Sequence, residues 1–203
     1  MSNKHLPTKS NMMKLQNSLK ISKQGHELLD SKKIILTREI EKYKRSHEEL
    51  EKELFDMMEN GRELIKAVNI DIGIEKFAKI ANQVDIDDYI DIKNVTLMGV
   101  EIPSAVHKQE QVKRTYEFYN TTNKVDEAMI YFNKIQEKLI EYAIQDTTIK
   151  RLKTASEKAR KRANALQNVI IPEMEKNLKD IMEQLDERDR EEFATLKLLK
   201  KKI

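Results

Sequence analysis

From Met12 to Val68 the chain carries an unbroken 3-4 spacing of seam positions. The series runs Met12, Leu15, Leu19, Ser22, His26, Leu29, Lys33, Leu36, Ile40, Tyr43, His47, Leu50, Leu54, Met57, Gly61, Leu64 and Val68, and twelve of these 17 are apolar. No proline interrupts it. A spacing held this long predicts a coiled-coil seam rather than the face of a globular helix. The helix should run from about Lys9 to Asn69, roughly 90 Å at the helical rise. Pro7 and Thr8 make a suitable start, because proline has no N–H to lose and threonine can cap. The polar seam residues Ser22, His26, Lys33 and His47 either fix register, face a partner, or are simply tolerated. Toleration is the preferred reading for Lys33 and His47. Gly25 and Gly61 leave room for close approach of an opposing helix, and Gly61 could instead mark a local break.

The pattern changes between Ile70 and Asn123. IEKFAKIANQV predicts a short amphipathic helix with Phe77, Ile80, Ala81 and Val84 on one face. DYIDIKNVTLMGVEIP reads as two short strands. Ile90 and Ile92 alternate with charge; Thr96, Met98, Val100 and Ile102 are expected to line one face of the second. The turn is placed at Lys93-Asn94, and Pro103 is expected to end the strand. TYEFYN, from Thr115 to Asn120, could add a third extended piece. Asn123 with Asp126 then reads as an N-cap and acidic first turn. The helix it opens can reach about Leu199, some 115 Å by the same rise. Its apolar positions include Met129, Phe132, Ile135, Leu139, Tyr142, Ile149, Leu152, Ala155, Ala159, Ala163, Leu166, Ile170, Met174, Leu178, Ile181, Leu185, Leu196 and Leu199. Ala155, Ala159 and Ala163 form a small stripe suited to close helix contact. Successive spacings of four from Leu166 to Leu178 loosen the period, and Pro172 removes a backbone bond and is expected to bend the rod.

Two long helices joined by a compact insert can fold back on each other. The expected fold is therefore mainly α: a long antiparallel two-helix coiled coil with a small α+β insert, a short helix and a β-hairpin, at one end. The segments are 1–69 for the first long helix, 70–123 for the insert and 124–203 for the second long helix. The unequal helices should leave Phe132, Ile135 and Leu139 poorly covered.

Composition supports solvated helices. Charged residues make up 36% of the 203, with 4 glycines, 3 prolines and no tryptophan. The net charge of +3 gives no strong push toward nucleic acid. The basic runs Lys158 to Arg162 and Lys200 to Lys202 read as solvated faces or helix-end charges. There are no cysteines, which removes disulfide and thiolate chemistry and suits a reducing cytosol. The sequence offers no secretory leader and no apolar run long enough to span a membrane. Scattered glycines cannot build a phosphate-cradling loop. His47-Glu48-Glu49 lacks the second histidine a zinc helix needs. Glu191-Glu192 and Asp87-Asp88 are acid pairs of the solvated kind. No catalytic, cofactor-binding or metal-binding residue is assigned, and the chain is expected not to be an enzyme.

Three segments carry a family likeness. From Arg160 to Lys202 the chain reads RKRANALQNVIIPEMEKNLKDIMEQLDERDREEFATLKLLKKK. Arg160, Arg162, Asn164, Ala165, Leu166, Ile171, Pro172, Leu185, Glu187, Arg188, Arg190, Glu191, Phe193, Leu196 and Lys197 fit a pattern of RRVNAL, then V-IP, then an ERE segment and a closing RLKK. Near the start, Pro7-Thr8, Leu15, Leu19, Gly25, Leu28, Leu29 and Lys32-Lys33 fit, and NVTLMGVEIP fits a strand built on NV-GV-LP. Ala163 replaces the usual Val, and Ala194-Thr195 weakens the usual basic tip. The chain resembles the D subunit, the central axle of the V-type and archaeal-type rotary ATPases. That resemblance implies a non-catalytic central-stalk component without a cofactor. It implies that the coil end bearing the termini sits among the catalytic and regulatory ring subunits A and B. The insert end would meet the small F subunit and the funnel-shaped C subunit. It implies rotation that couples ATP hydrolysis or synthesis to proton or sodium transport, in a cytoplasmic position peripheral to the membrane, with no direct membrane insertion and no nucleic acid. A cytosolic coiled-coil tether or scaffold is the alternative; it explains the heptads but not the β insert or Pro172.

Overall fold

The computed structural model describes residues 6–83, 90–107 and 121–200. The element order is α1 (Lys9–Ile72), α2 (Ile74–Ala81), β1 (Ile90–Leu97), β2 (Val100–His107), α3 (Asn123–Ala165), a π-turn (Leu166–Ile170) and α4 (Ile171–Lys200). The chain divides into two compact units: Met1–Ile35 with Ser156–Ile203, and Leu36–Ala155.

Helix α1 begins as its sequence dictates. The backbone N–H of Asn11 donates to Thr8 Oγ1 at 3.3 Å, so Thr8 caps one of the orphan amides of the first turn. All 17 seam positions of α1 are buried or half-buried, the polar ones included. Periodicity therefore determines which stripe of this helix is covered.

In the first unit, partners pair in opposing order. Lys9 meets Asp189 at 4.0 Å, Ser22 Oγ donates to Met174 Sδ at 3.6 Å, and Lys23 pairs with Glu175 at 2.7 Å. The two helical segments thus run antiparallel. Leu15, Ala159, Ala163 and Ile181 are its buried apolar residues. Two members of the small stripe, Ala159 and Ala163, are in this unit's core, as close helix approach requires.

The second unit holds the rest of α1, the insert and α3 up to Ala155. Here too the pairing is antiparallel: Ser46 with Gln145, Glu53 with Lys138 and Asp71 with Lys124. One core joins Leu36, Ile40, Ile102 and Leu152, with Tyr43, Leu97, Val100 and Ala155 packed against it. A second joins Val68, Val125 and Ala128, covered by Ile72, Phe77, Ile80 and Met129. Of the expected apolar face of the short helix, Phe77 and Ile80 are seated inward and Ala81 is exposed, at the helix's last residue; Val84 lies outside the described residues. Gly73 at φ 82° lets the chain leave α1 and enter α2 within one residue.

The hairpin differs from expectation in three respects. Strand β1 runs straight through Lys93-Asn94, and the turn is Met98-Gly99 instead, with φ of 51° and 74°. Two consecutive left-handed residues suit a tight two-residue hairpin, and glycine supplies one of them without strain. Pro103 does not end β2. It pairs opposite Asn94 inside the strand, which a two-stranded ribbon permits because each strand has an open edge. Finally, Thr96 and Met98 do not share a face with Val100 and Ile102. Leu97 pairs with Val100, and Val95 with Ile102, so these face one way while Ile90, Ile92 and Thr96 face the other. The expected extended piece at 115–120 lies outside the described residues.

The second long helix passes through a π-turn just before Pro172. Pro172 cannot donate to the carbonyl of Asn168, and its ring would crowd that oxygen in a regular helix. The chain widens just before it into the π-turn Leu166–Ile170, in which the N–H of Ile171 reaches the carbonyl of Leu166. Helix α3 starts with Asn123 as its first helical residue. Thr122 takes the preceding position, and its carbonyl accepts the N–H of Val125 at 2.9 Å.

The two helical glycines of α1 differ in a measurable way. A Cβ at Gly25 would meet only Leu166 Cδ1, at 4.0 Å, an ordinary contact. At Gly61 it would meet Ile135 Cδ1 at 3.2 Å and Phe132 Cζ at 3.3 Å. Gly61 is thus a notch into which α3 packs, not a break. Gly25→Ala should stabilise the chain by about 1 kcal/mol through helix propensity. Gly61→Ala should forfeit that gain to overpacking. Urea unfolding of the two variants checks this; equal gains would show that the notch is not needed.

Candidate functional site

The titratable residues singled out in the sequence are not brought together. His26 and His47 occupy half-buried seam positions of α1. His5, Asp87, Asp88 and the side chain of His107 fall outside the described residues. Glu191 and Glu192 are exposed on α4, and so are Lys158, Arg160, Lys161 and Arg162 on α3, with Ala159 turned inward between them. Among the described residues no group of three or more His, Cys, Asp or Glu is placed to hold a metal ion. No described helix is long and apolar enough to cross a membrane.

Among the described residues, a pair at the surface of α3 is electrostatically perturbed. Asp146 accepts a bond from Lys150 at 2.6 Å, and this holds its carboxyl below the usual value and raises the lysine. Such a surface pair contributes little to stability. Its share is present above the ordinary carboxylate pKa and is lost as pH falls through the depressed one.

What the molecule presents is apolar surface on helices and ribbon. Near the end of α4, Phe193 is 71% exposed, and Leu196, Leu198 and Leu199 are exposed beside it. A shallow groove there is lined by Asp186, Asp189, Arg190, Phe193, Ala194 and Lys197. In the second unit Phe55 and Met58 on α1, Phe132 and Leu139 on α3, and Ile90 and Ile92 on the outer face of the hairpin are exposed. Phe132 and Leu139 are thus poorly covered, as expected. Ile135, expected to join them, is buried, because it packs into the Gly61 notch. Clustered apolar groups such as Phe193 with Leu196 and Leu199 are the kind of surface that a partner covers.

The seam pattern does not reveal Gln145 and Thr148, which are buried in the helix pair. The signal for Gln145 is the 3-4 step from Tyr142 through it to Ile149, hidden because the middle residue is polar.

A 3-4 seam, a two-strand insert and a proline-linked π-turn, in this order, invite comparison with known proteins. The family model for the ATP synthase D subunit matches residues 11–201. The chain belongs to the ATP synthase D subunit family. The D subunit of the V-type ATP synthase of Thermotoga neapolitana is 32% identical over 197 residues, covering 97% of each chain. The D subunit of the A-type ATP synthase of Pyrococcus horikoshii is 34% identical, covering 96% of this chain and 92% of the relative. That of Methanopyrus kandleri is 33% identical over 199 residues, 96% of this chain and 84% of its own. The likeness to these D subunits thus includes the insert and the π-turn segment as well as the heptads, which a generic coiled coil would not share.

Calorimetric titration of the isolated chain with ATP should give no heat of binding at micromolar affinity, because its scattered glycines cannot build a phosphate cradle. Micromolar binding would overturn that expectation.

Proposed function

We propose that this chain is the non-catalytic central axle of a V/A-type ATP synthase. The observation that carries the proposal is family membership over nearly the whole chain, insert included. In this reading the seam of α1 and its facing helices form a long antiparallel coiled coil with the α+β insert at one end. The coil end bearing the termini, with Phe193, Leu196, Leu198 and Leu199, turns within the ring of A and B subunits. The insert end, with the outer face of the hairpin, receives the small F subunit and the funnel-shaped C subunit. The ring holds the nucleotide chemistry, and rotation of the axle couples it to proton or sodium movement through the membrane sector. The protein is then cytoplasmic and peripheral to the membrane.

A coiled-coil tether unrelated to any ATPase is the competing reading. The two are separated by assembly. Gel filtration should show the chain co-eluting with the other subunits. The small F subunit should raise its Tm, because a partner that binds only the folded state stabilises it. At a hundredfold excess over Kd that gain is about 2.7 kcal/mol. Separate elution and an unchanged Tm would favour the tether.

A further inference from the structure

The helix pair of residues 36–155 carries a polar layer around Gln145. Gln145 is 8% exposed, and its Nε2 donates to Ser46 Oγ and to Glu141 Oε1, both at 3.3 Å. His47 stacks on Tyr142, with ring centroids 4.3 Å apart and an interplanar angle of 21°. Two buried polar atoms of this layer, His47 Nδ1 and Gln145 Oε1, have no hydrogen-bond partner. Apolar contacts flank it, with Leu36, Ile40 and Leu152 on one side and Leu50 and Leu54 on the other. A layer that leaves buried polar atoms unpaired is less stable than leucine of similar volume would be. Its presence calls for a use other than stability.

We infer that Ser46, His47, Tyr142 and Gln145 form a register key that fixes the axial alignment of α1 against α3. The apolar seam cannot do this alone. Seam residues recur every seven positions and apolar contact is non-directional, so Leu36, Ile40, Leu50 and Leu54 meet Ile149 and Leu152 almost as well after a one-heptad slip, and of the apolar contacts it is Ile135 in the Gly61 notch that resists it. The stack and the amide bond have no copy seven residues away on either helix. A slip of seven residues either way carries His47 from Tyr142 onto Ile135 or Ile149 and takes Gln145 off Ser46. The stack is lost, and the buried amide and half-buried imidazole meet apolar neighbours or an acidic side chain. Stability is given up in the aligned state, and more is lost in each misaligned one. The inference depends on the packing of residues 36–155 and not on the axle reading.

The test uses the full chain, whose lack of cysteine permits clean labelling. Asp56→Cys and Lys153→Cys place spin labels at two exposed sites on the two helices. A one-heptad slip changes their axial separation by about 10 Å. Pulsed electron resonance should give one distance in the parent. With Ser46→Ala, His47→Leu and Gln145→Leu combined, Tm should rise by at least about 4 °C, and a second distance displaced by about 10 Å should appear. Gln145→Leu alone should show a smaller rise. A single unchanged distance in the combined variant would mean that the insert's packing through Ile102 sets alignment, and would overturn the proposal. So would a fall in Tm, or failure to fold, in both the combined and the single variant, since the layer would then be a source of stability.

Discussion

ATP turnover by the assembled complex should stop when Arg38→Cys of this chain is oxidised onto a cysteine of the surrounding stator. Arg38 is exposed on α1, two residues from the buried seam positions Leu36 and Ile40. It borders a shallow surface groove with Glu41, Lys42, Arg45, Ser46 and Glu49. Substitution there leaves the core untouched, so stability should change by no more than about 0.5 kcal/mol. The native chain holds no competing thiol. Activity should fall in proportion to the cross-linked fraction and return on reduction. The test is severe because the immobilised chain contributes no catalytic group in the proposed mechanism. Full turnover by fully cross-linked complexes would leave a static scaffold as the better account.

The largest loss of stability should come from Leu152→Ala or Leu36→Ala. Both side chains are fully buried, and each packs in the one cluster that unites α1, α3 and the hairpin through Ile102. Truncation removes contact with three elements at once and leaves a cavity, at a cost of about 2–5 kcal/mol. In a chain of this size that lowers Tm by roughly 4–20 °C. Leu196→Ala is the control. Leu196 is exposed near the end of α4, so its loss should move the isolated chain's Tm by little. In the complex the order could differ, since the proposed ring contacts involve Leu196. A small effect for Leu152→Ala by thermal melting would show that the cluster yields to repacking.

Much of this arrangement is legible in the sequence, for identifiable reasons. Seam burial in α1 follows from periodicity alone, since an uninterrupted 3-4 pattern admits one covered stripe. The Thr8 cap and the amphipathic short helix are local signals of the same directness. The hairpin turn is misplaced by local reading because Lys93-Asn94 looks more turn-like than Met98-Gly99, whereas the observed turn is decided by the pairing of Leu97 with Val100. Pro103 is overweighted in the same way, because an open ribbon edge tolerates what a central strand would not. Burial of Ile135 needs the Gly61 notch opposite it, a tertiary fact no single-helix pattern contains. The exposed apolar side chains are visible in the sequence only as surplus leucines, until burial shows which of them lack cover.

The π-turn before Pro172 separates chain length from facing. In a regular helix each added or removed residue turns everything beyond it by about 100°. A wide turn already absorbs one such residue, for five positions occupy what four would otherwise fill. Loss of one residue from Leu166–Ile170, such as the exposed Val169, would close the turn and leave Leu178, Ile181 and Leu185 pointing where they did, at the cost of setting Pro172 into regular helix, where its ring crowds a carbonyl. The same deletion within α4 would rotate Ile181 out of its core. The segment acts as a vernier, a short stretch where length is adjustable while orientation downstream is conserved.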